Sequence, residues 1–150
     1  MKMDPIIYNI ALGRIVKYLE AQNYTVKLDS NSFGFFAEES LITCPTKSHG
    51  TYSMICSLLH EAGHTVQPRS QFNNMRKSLK RDKAIIIELE YTAWAYGWLI
   101  AKELDIDTPI LEQEYLKSWL KYWTQYIELI QNDWSNAEIL HPLSAWPSDR

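Results

Sequence analysis

The sequence predicts an α+β fold in which a small sheet lies between helical segments. Two observations predict it. Apolar residues alternate with polar ones in short stretches between residues 24 and 44, and they recur every three to four residues before and after that region. The 150 residues, 46% hydrophobic and 22% charged, match one globular domain and exclude a disordered chain. The single domain is expected to span 1–150, with an irregular tail from about residue 132.

The first predicted element is an N-terminal helix. Asp4 and Pro5 form a start signal, because aspartate accepts hydrogen bonds at a helix N-cap and proline is tolerated in the first turn. One face then carries the apolar residues Tyr8, Leu12, Ile15, Val16 and Leu19. Asn23 is expected to end this helix.

Three short strands are predicted next. Residues 24–28 alternate as a half-buried strand, and the turn residues 29–32 separate them from a second strand at 33–37. Residues 41–44 form the third strand, and Pro45 closes the sheet. We expect this small sheet to be antiparallel or mixed.

Three further helices are predicted over about 50–68, 84–104 and 112–131. The apolar face of the first carries Ile55, Leu58, Leu59, Ala62 and Val66. The apolar face of the last carries Leu116, Trp119, Leu120, Trp123, Ile127 and Ile130. Two i, i+4 tryptophan pairs, Trp94 with Trp98 and Trp119 with Trp123, are expected to pack the last two helices together. An exposed aromatic groove for a partner is the alternative.

Residues 60–64 read His-Glu-Ala-Gly-His, an HExxH motif within a predicted helix. His60 and His64 lie one turn apart on one face, so both imidazoles can bind one Zn²⁺. Glu61 lies one residue further round, where it can hold a water molecule without joining the ligands. The alternative is a helix whose histidines are hydrogen-bonded to neighbours and whose glutamate is solvated. The motif favours a zinc site.

A catalytic zinc usually has three protein ligands, so a third is expected elsewhere in the chain. Cys44 and Cys56 are candidates, but Cys56 lies on the same helix as both histidines and would complete a poor tetrahedron. Glu88 and Glu90 lie in an apolar, aromatic helix, where a carboxylate needs a partner or a cation. This long helix is the better source of the ligand.

The small residues of that helix favour Glu90 over Glu88. Glu90 shares a helix face with Ala93, Gly97 and Ala101. Another helix can come close along this face, and Gly63 offers a matching position between the two histidines. Glu88 points about 200° away and is the alternative ligand. Otherwise it is a surface carboxylate, or one that orients a ligating histidine.

These residues resemble a known family. Glu90, in the segment 88–95, follows His64 by 26 positions. The HExxH segment and this second segment together resemble those of the zincin-type metallopeptidases of the ImmA/IrrE kind and of small HExxH proteins of phages and prophages. The resemblance covers roughly residues 35–104 and implies a minimal zincin-like core. It implies His60, His64 and Glu90 as zinc ligands and Glu61 as the catalytic base. Tyr91 stands where the family pattern usually has alanine.

The resemblance also implies an activity, the hydrolysis of peptide bonds in a protein or peptide substrate. Glu61 would accept a proton from the zinc-activated water and return it to the leaving amine. A strand beside the histidine helix, at 41–44 or 33–37, is expected to pair with the substrate. The candidates for stabilising the oxyanion are His49, Tyr91, Tyr96 and His141. The alternative function is a zinc-containing binding or inhibitor protein with little or no turnover, such as a phage factor directed at the host or at assembly.

The charge and the cysteine content limit the possible partners and the cellular compartment. The net charge of −3 favours neither nucleic acid nor a membrane surface, and two cysteines are too few for a disulfide scaffold. We expect a cytoplasmic protein, in the host cytoplasm if a phage encodes it. The sequence does not define its oligomeric state.

The basic segment 69–83 holds six Lys or Arg against one Asp. It is expected to be a solvated face or loop, with a docking patch for an acidic partner or nucleic acid as the alternative.

Overall fold

The computed structural model describes residues 1–68 and 83–131, and these ranges form the predicted α+β fold, with four α-helices and a three-stranded sheet. In chain order the elements are α1 (Pro5–Ala21), β1 (Thr25–Ser30), β2 (Gly34–Phe36), β3 (Leu41–Pro45), α2 (Tyr52–Thr65), α3 (Lys83–Glu103) and α4 (Pro109–Gln131). Residues 69–82 of the basic segment, the tail from residue 132 and His141 lie outside the described residues. Within the described ranges, no helix has the length and apolarity needed to cross a membrane.

Helix α1 begins and ends as predicted. The Asp4 carboxylate accepts hydrogen bonds from the backbone N–H groups of Ile6 at 2.9 Å and Ile7 at 3.3 Å, which satisfies two donors of the first turn. Asn23 follows the helix with a φ of 67°, a left-handed conformation that asparagine tolerates better than most residues. The face that α1 buries carries Tyr8, Ala11, Ile15 and Leu19. Leu12 and Val16, predicted on that face, are only partly buried.

The sheet is mixed, with strand order β1-β3-β2. Strand β3 runs parallel to β1 and antiparallel to β2, with Ile42 opposite both Val26 and Phe35. The expectation that residues 41–44 could pair with the substrate is therefore wrong, because the backbone of β3 is already paired with a strand on each side. Strand β2 forms one edge of this sheet.

Helix α2 lies at the centre of the protein, in contact with α1, β2, β3, α3 and α4. The Thr51 side chain caps its start by accepting a hydrogen bond from the Met54 N–H at 3.1 Å. Almost every residue from Met54 to His64 is buried, so the helix is enclosed on several sides rather than on one apolar face. Val66 is 37% exposed because it caps the end of the helix beyond its last turn. The HExxH residues therefore lie inside the core.

The apolar face predicted for α4 is wrong at three of its residues, whereas Trp119 and Trp123 contact α3. Leu116, Leu120 and Ile127 are exposed, whereas Leu111 and Tyr115 are each 1% exposed. The residues of α4 that contact α3 include Tyr115, Trp119 and Tyr122. The apolar surface of this helix is wider than its contact, so spacing alone did not identify the buried side. Ile130 lies beyond the described side chains.

Candidate metal centre

Helices α2 and α3 touch through their backbones, as the small residues predict. A Cβ atom built on Gly63 would overlap the Ala93 carbonyl oxygen and lie 2.8 Å from the Ala93 carbonyl carbon. One built on Gly97 would lie 2.9 Å from the carbonyl carbon of Leu59. Real Cβ atoms do not come that close, so glycine is required at both positions. This contact places the Glu90 side chain next to the two histidines.

His60, His64 and Glu90 form a buried group whose candidate ligand atoms all lie within 4.8 Å of one another. The His60 Nε2 atom is 3.1 Å from Glu90 Oε2, and the His64 Nε2 atom is 3.4 Å from Glu90 Oε1. The structure thus brings together the three residues that the sequence proposed as ligands. A group with this geometry could hold a metal ion.

The donor set fits zinc. Bonds of about 2.0–2.2 Å from a tetrahedral zinc place neighbouring ligand atoms about 3.3–3.6 Å apart. Two nitrogen–oxygen separations are close to that spacing, 3.1 Å to Glu90 Oε2 and 3.4 Å to Glu90 Oε1, within a group whose candidate ligand atoms are up to 4.8 Å apart. Two imidazole nitrogens and one carboxylate are also the ligand types of several hydrolytic zinc sites.

Comparison with known proteins gives no family for this chain. A scan against protein-family models matched none, and searches of curated proteins and of solved structures found no match. The chemistry of the site must therefore be argued from its own residues.

The structure distinguishes the three glutamates near the motif and the predicted third ligand. Glu90 is fully buried in the group, whereas the Glu88 side chain is exposed. Glu61 is 2% exposed, and its Oε1 atom lies 3.8 Å from His60 Nε2. Glu61 therefore lies beside the candidate group without belonging to it.

The two cysteines lie outside this group. Both are buried and neither forms a disulfide. Burial raises the pKa of each thiol to about 12, and the nearby charge of Glu61 adds to the effect at Cys44. Because the thiolate is the form that binds metal, protonated thiols make poor competitors for the ion.

Aromatic rings enclose the histidines. The His60 ring stacks on Trp94 at a centroid distance of 4.4 Å, and the His64 ring stacks on Phe35 of β2 at 5.3 Å. Burial is the main cause that lowers the pKa of His60, against the opposing effect of its hydrogen bond to Glu90. A lowered pKa keeps this imidazole neutral at neutral pH, which is the form that binds a metal.

Gln67 is a site residue that sequence reasoning missed. Its Oε1 atom lies 2.6 Å from His64 Nδ1, and its Nε2 atom donates to the main-chain oxygen of Leu89 at 2.5 Å and to Thr92 Oγ1 at 2.6 Å. The sequence feature that could have pointed to Gln67 was its position, three residues after His64 and just beyond the end of α2. Glutamine has no strong bias toward metal sites, so its identity carried little information.

Of the expected oxyanion donors, His141 lies outside the described residues, and the other three lie elsewhere or lack a contact with the site. The His49 Nε2 atom is engaged with the Leu28 carbonyl oxygen at 3.0 Å, and Tyr91 is 45% exposed beside Trp119. No contact of Tyr96 with the site was found among the described residues. Tyr122, which the sequence did not suggest, stacks on Trp94 at 5.5 Å. Burial raises the pKa of Tyr122, and the charges of Glu61 and Glu90 raise it further, so its phenol stays protonated close to both carboxylates.

Tryptophan–tyrosine contacts join α3 to α4. Trp94 and Trp98 both contact Tyr115, and Tyr91 contacts both Trp119 and Trp123. Outside these contacts a groove of about 410 Å³ remains, lined by Tyr91, Leu116, Trp119, Leu120 and Trp123. The tryptophans thus pack the two helices as predicted and also line an exposed aromatic groove.

Proposed function

We propose that the protein is a zinc-dependent metallopeptidase that hydrolyses peptide bonds in a protein substrate. The observation that carries the proposal is a group of three candidate ligands with a fourth acidic side chain beside it. His60, His64 and Glu90 are close enough to bind one ion, while Glu61 stands outside them. The resemblance to ImmA/IrrE-type metallopeptidases supports the same assignment.

The number of ligands favours a catalytic role over a structural one. Structural zinc sites usually have four protein ligands and are rich in cysteine, whereas catalytic sites have three and keep one position for water. Among the residues that the structure describes, the candidate group contains three side chains and no cysteine. An open position next to Glu61 is what hydrolysis requires.

Glu61 performs the proton transfers in this proposal. A bound zinc ion would supply Lewis-acid polarisation and lower the pKa of water from about 15.7 to about 7. The Glu61 carboxylate would then accept the proton of the attacking water and deliver it to the leaving amine. Its burial at 2% exposure holds it in one place and keeps bulk water from competing for the proton.

Tyr122 is our candidate for stabilising the negative charge that develops on the scissile carbonyl oxygen. Its phenol is protonated at neutral pH and lies near Glu61 and Glu90. Its ring is fixed on Trp94, which in turn stacks on His60. A donor held in this way can stabilise an oxyanion without having to reorganise first.

Strand β2 is the candidate substrate-binding edge. It forms one edge of the sheet, and its central residue Phe35 stacks on the ligand candidate His64. An extended peptide paired with the outer side of β2 would add a strand by main-chain hydrogen bonds. This assigns the substrate to the second of the two expected strands, residues 33–37.

We further propose a cytoplasmic location, consistent with two cysteines that remain thiols.

The test compares the zinc-loaded wild type with Glu61→Gln on a proteome-derived peptide library. We expect cleavage by the wild type and a loss of roughly 10²–10⁴-fold in the variant, because the general base is removed while the three ligands remain. Zinc content, measured by mass spectrometry, should be equal in the two proteins. Glu103→Gln, at the exposed end of α3, is the matched control and should cleave normally.

Burial of the site favours a second candidate function, a zinc-containing binding or inhibitor protein with little turnover. His60 is 5% exposed and Glu61 is 2% exposed, so a substrate must gain access to a nearly closed site. Stoichiometric zinc binding without any cleavage that depends on Glu61 would reject the peptidase proposal and favour this one.

A further inference from the structure

The side-chain amide of Gln67 bridges α2 and α3. Gln67 is 7% exposed, and its Nε2 atom lies 2.5 Å from the main-chain oxygen of Leu89. A main-chain carbonyl oxygen can only accept a hydrogen bond, so the group that faces it must be the amide NH₂. The Leu89 carbonyl therefore fixes which end of the Gln67 amide points to α3.

Thr92 confirms this orientation. Its hydroxyl has a single proton, which it donates within α3 to the carbonyl oxygen of Glu88 at 2.8 Å or of Leu89 at 3.2 Å. The Thr92 oxygen is therefore an acceptor toward Gln67 Nε2, at 2.6 Å. Both hydrogen bonds of Gln67 Nε2 therefore indicate the same orientation of the side-chain amide.

The amide orientation sets the protonation of His64. The Gln67 Oε1 atom lies 2.6 Å from His64 Nδ1, and this oxygen can only accept. Nδ1 must then carry the ring proton, and in the neutral imidazole the lone pair falls on Nε2. Nε2 is the nitrogen that lies 3.4 Å from Glu90 Oε1, on the side of the metal position.

We propose that Gln67 is a positioning residue that selects the metal-binding tautomer of His64 and holds its ring toward Glu90. The proposal rests on the proposed metal site. Leu89, whose carbonyl orients the amide, directly precedes Glu90, so the main chain beside one ligand sets the tautomer of another. A neutral amide does this without adding a negative charge to the site, in contrast to the carboxylates that often support ligating histidines.

The test replaces the amide with apolar and acidic side chains of similar length, Gln67→Met and Gln67→Glu. Gln67→Met removes both the acceptor and the donor, whereas Gln67→Glu keeps an acceptor for His64 but faces the Leu89 carbonyl with a second acceptor. We expect zinc affinity to fall roughly 10–100-fold in Gln67→Met, the range for outer partners of metal ligands, and to fall less in Gln67→Glu, which keeps the acceptor for His64. Gln113→Met, on the exposed side of α4, is the matched control and should bind zinc as the wild type does.

Nitrogen-15 NMR of the histidine rings supplies a readout that a general loss of packing would not give. In the zinc-loaded wild type, His64 should carry its proton on Nδ1. The metal-free wild type should keep that proton on Nδ1. In metal-free Gln67→Met the two tautomers of His64 should be mixed, while the His60 signals stay as they are in the metal-free wild type. A proton on Nε2 of His64 in the wild type, or an unchanged tautomer and zinc affinity in Gln67→Met, would overturn the proposal. Neither measurement requires turnover, so a failure of the peptidase proposal in the Glu61→Gln experiment is distinguishable from a failure of this one.

Discussion

Helix α3 contacts its two helical neighbours in different ways. Toward α2 it presents Glu90, Ala93 and Gly97, and the two backbones touch at Gly63. Toward α4 it presents rings such as Tyr91 and Trp94, and the helices meet through side chains with ring centroids about 5 Å apart. One contact leaves no room for a methyl group, while beside the other there is a groove of about 410 Å³.

The α2–α3 contact positions the candidate ligands, whereas the α3–α4 contact helps to enclose them. Two ligands on α2 can meet one on α3 only if the helix axes are close, and glycine is the residue that permits this. The aromatic contact encloses the histidines, with Trp94 against His60. We therefore expect changes at the α2–α3 contact to affect both stability and metal binding. A conservative change at Tyr122, a half-buried residue of the α3–α4 contact, should affect function with little effect on the fold.

Gly63→Ala should have the largest effect. The added methyl group would overlap the Ala93 carbonyl, which is backbone and cannot rotate away. We expect the free energy of unfolding to fall by about 3 kcal/mol, as for severe overpacking, and zinc affinity to fall with it. Urea denaturation and a competitive zinc titration measure the two quantities.

Gly13→Ala is the matched control for that substitution. Gly13 lies in α1 with nothing within 4 Å of an added Cβ, so alanine should stabilise the helix by about 0.5–1 kcal/mol. Equal stability in the two variants would contradict the close contact between α2 and α3.

Tyr122→Phe should have a smaller and more selective effect. It removes one hydroxyl and keeps the ring on Trp94, so the free energy of unfolding and the zinc content should stay close to those of the wild type. We expect kcat to fall roughly 10²-fold, the loss typical of one oxyanion donor. Tyr91→Phe, at the exposed ring beside Trp119, should leave kcat unchanged. If both variants cleave like the wild type, Tyr122 is not the donor.

The same contrast explains what the sequence could predict. Small residues and an HExxH motif have few possible uses, so residue type and spacing were enough to place Gly63, Gly97 and Glu90 together. Helix caps were equally informative, as at Asp4, because the bonds involved are local. At Asp4 the deciding atoms belong to near neighbours along the chain, and at Gly63 and Gly97 the missing side chain itself permits the approach of a distant segment.

Other features could not be predicted because they depend on which of several similar surfaces is used. Helix α4 is apolar on more than one side, and tertiary contacts decided that Tyr115 is buried and Leu120 exposed. The central position of β3 depends on pairing between distant strands. Gln67 and Tyr122 have common side chains whose roles come only from their neighbours, such as the Leu89 carbonyl and Trp94.

The most direct test of the metal centre compares zinc binding by Glu90→Gln and Glu88→Gln. The two glutamates lie two positions apart on one helix, but Glu90 is fully buried against His60 and His64 and Glu88 is exposed. Purified wild type and Glu88→Gln should each contain about one zinc ion per chain, and Glu90→Gln should lose far more affinity than the roughly 10–100-fold typical of an outer partner. Equal zinc binding by the two variants would contradict the assignment of His60, His64 and Glu90 as the ligands.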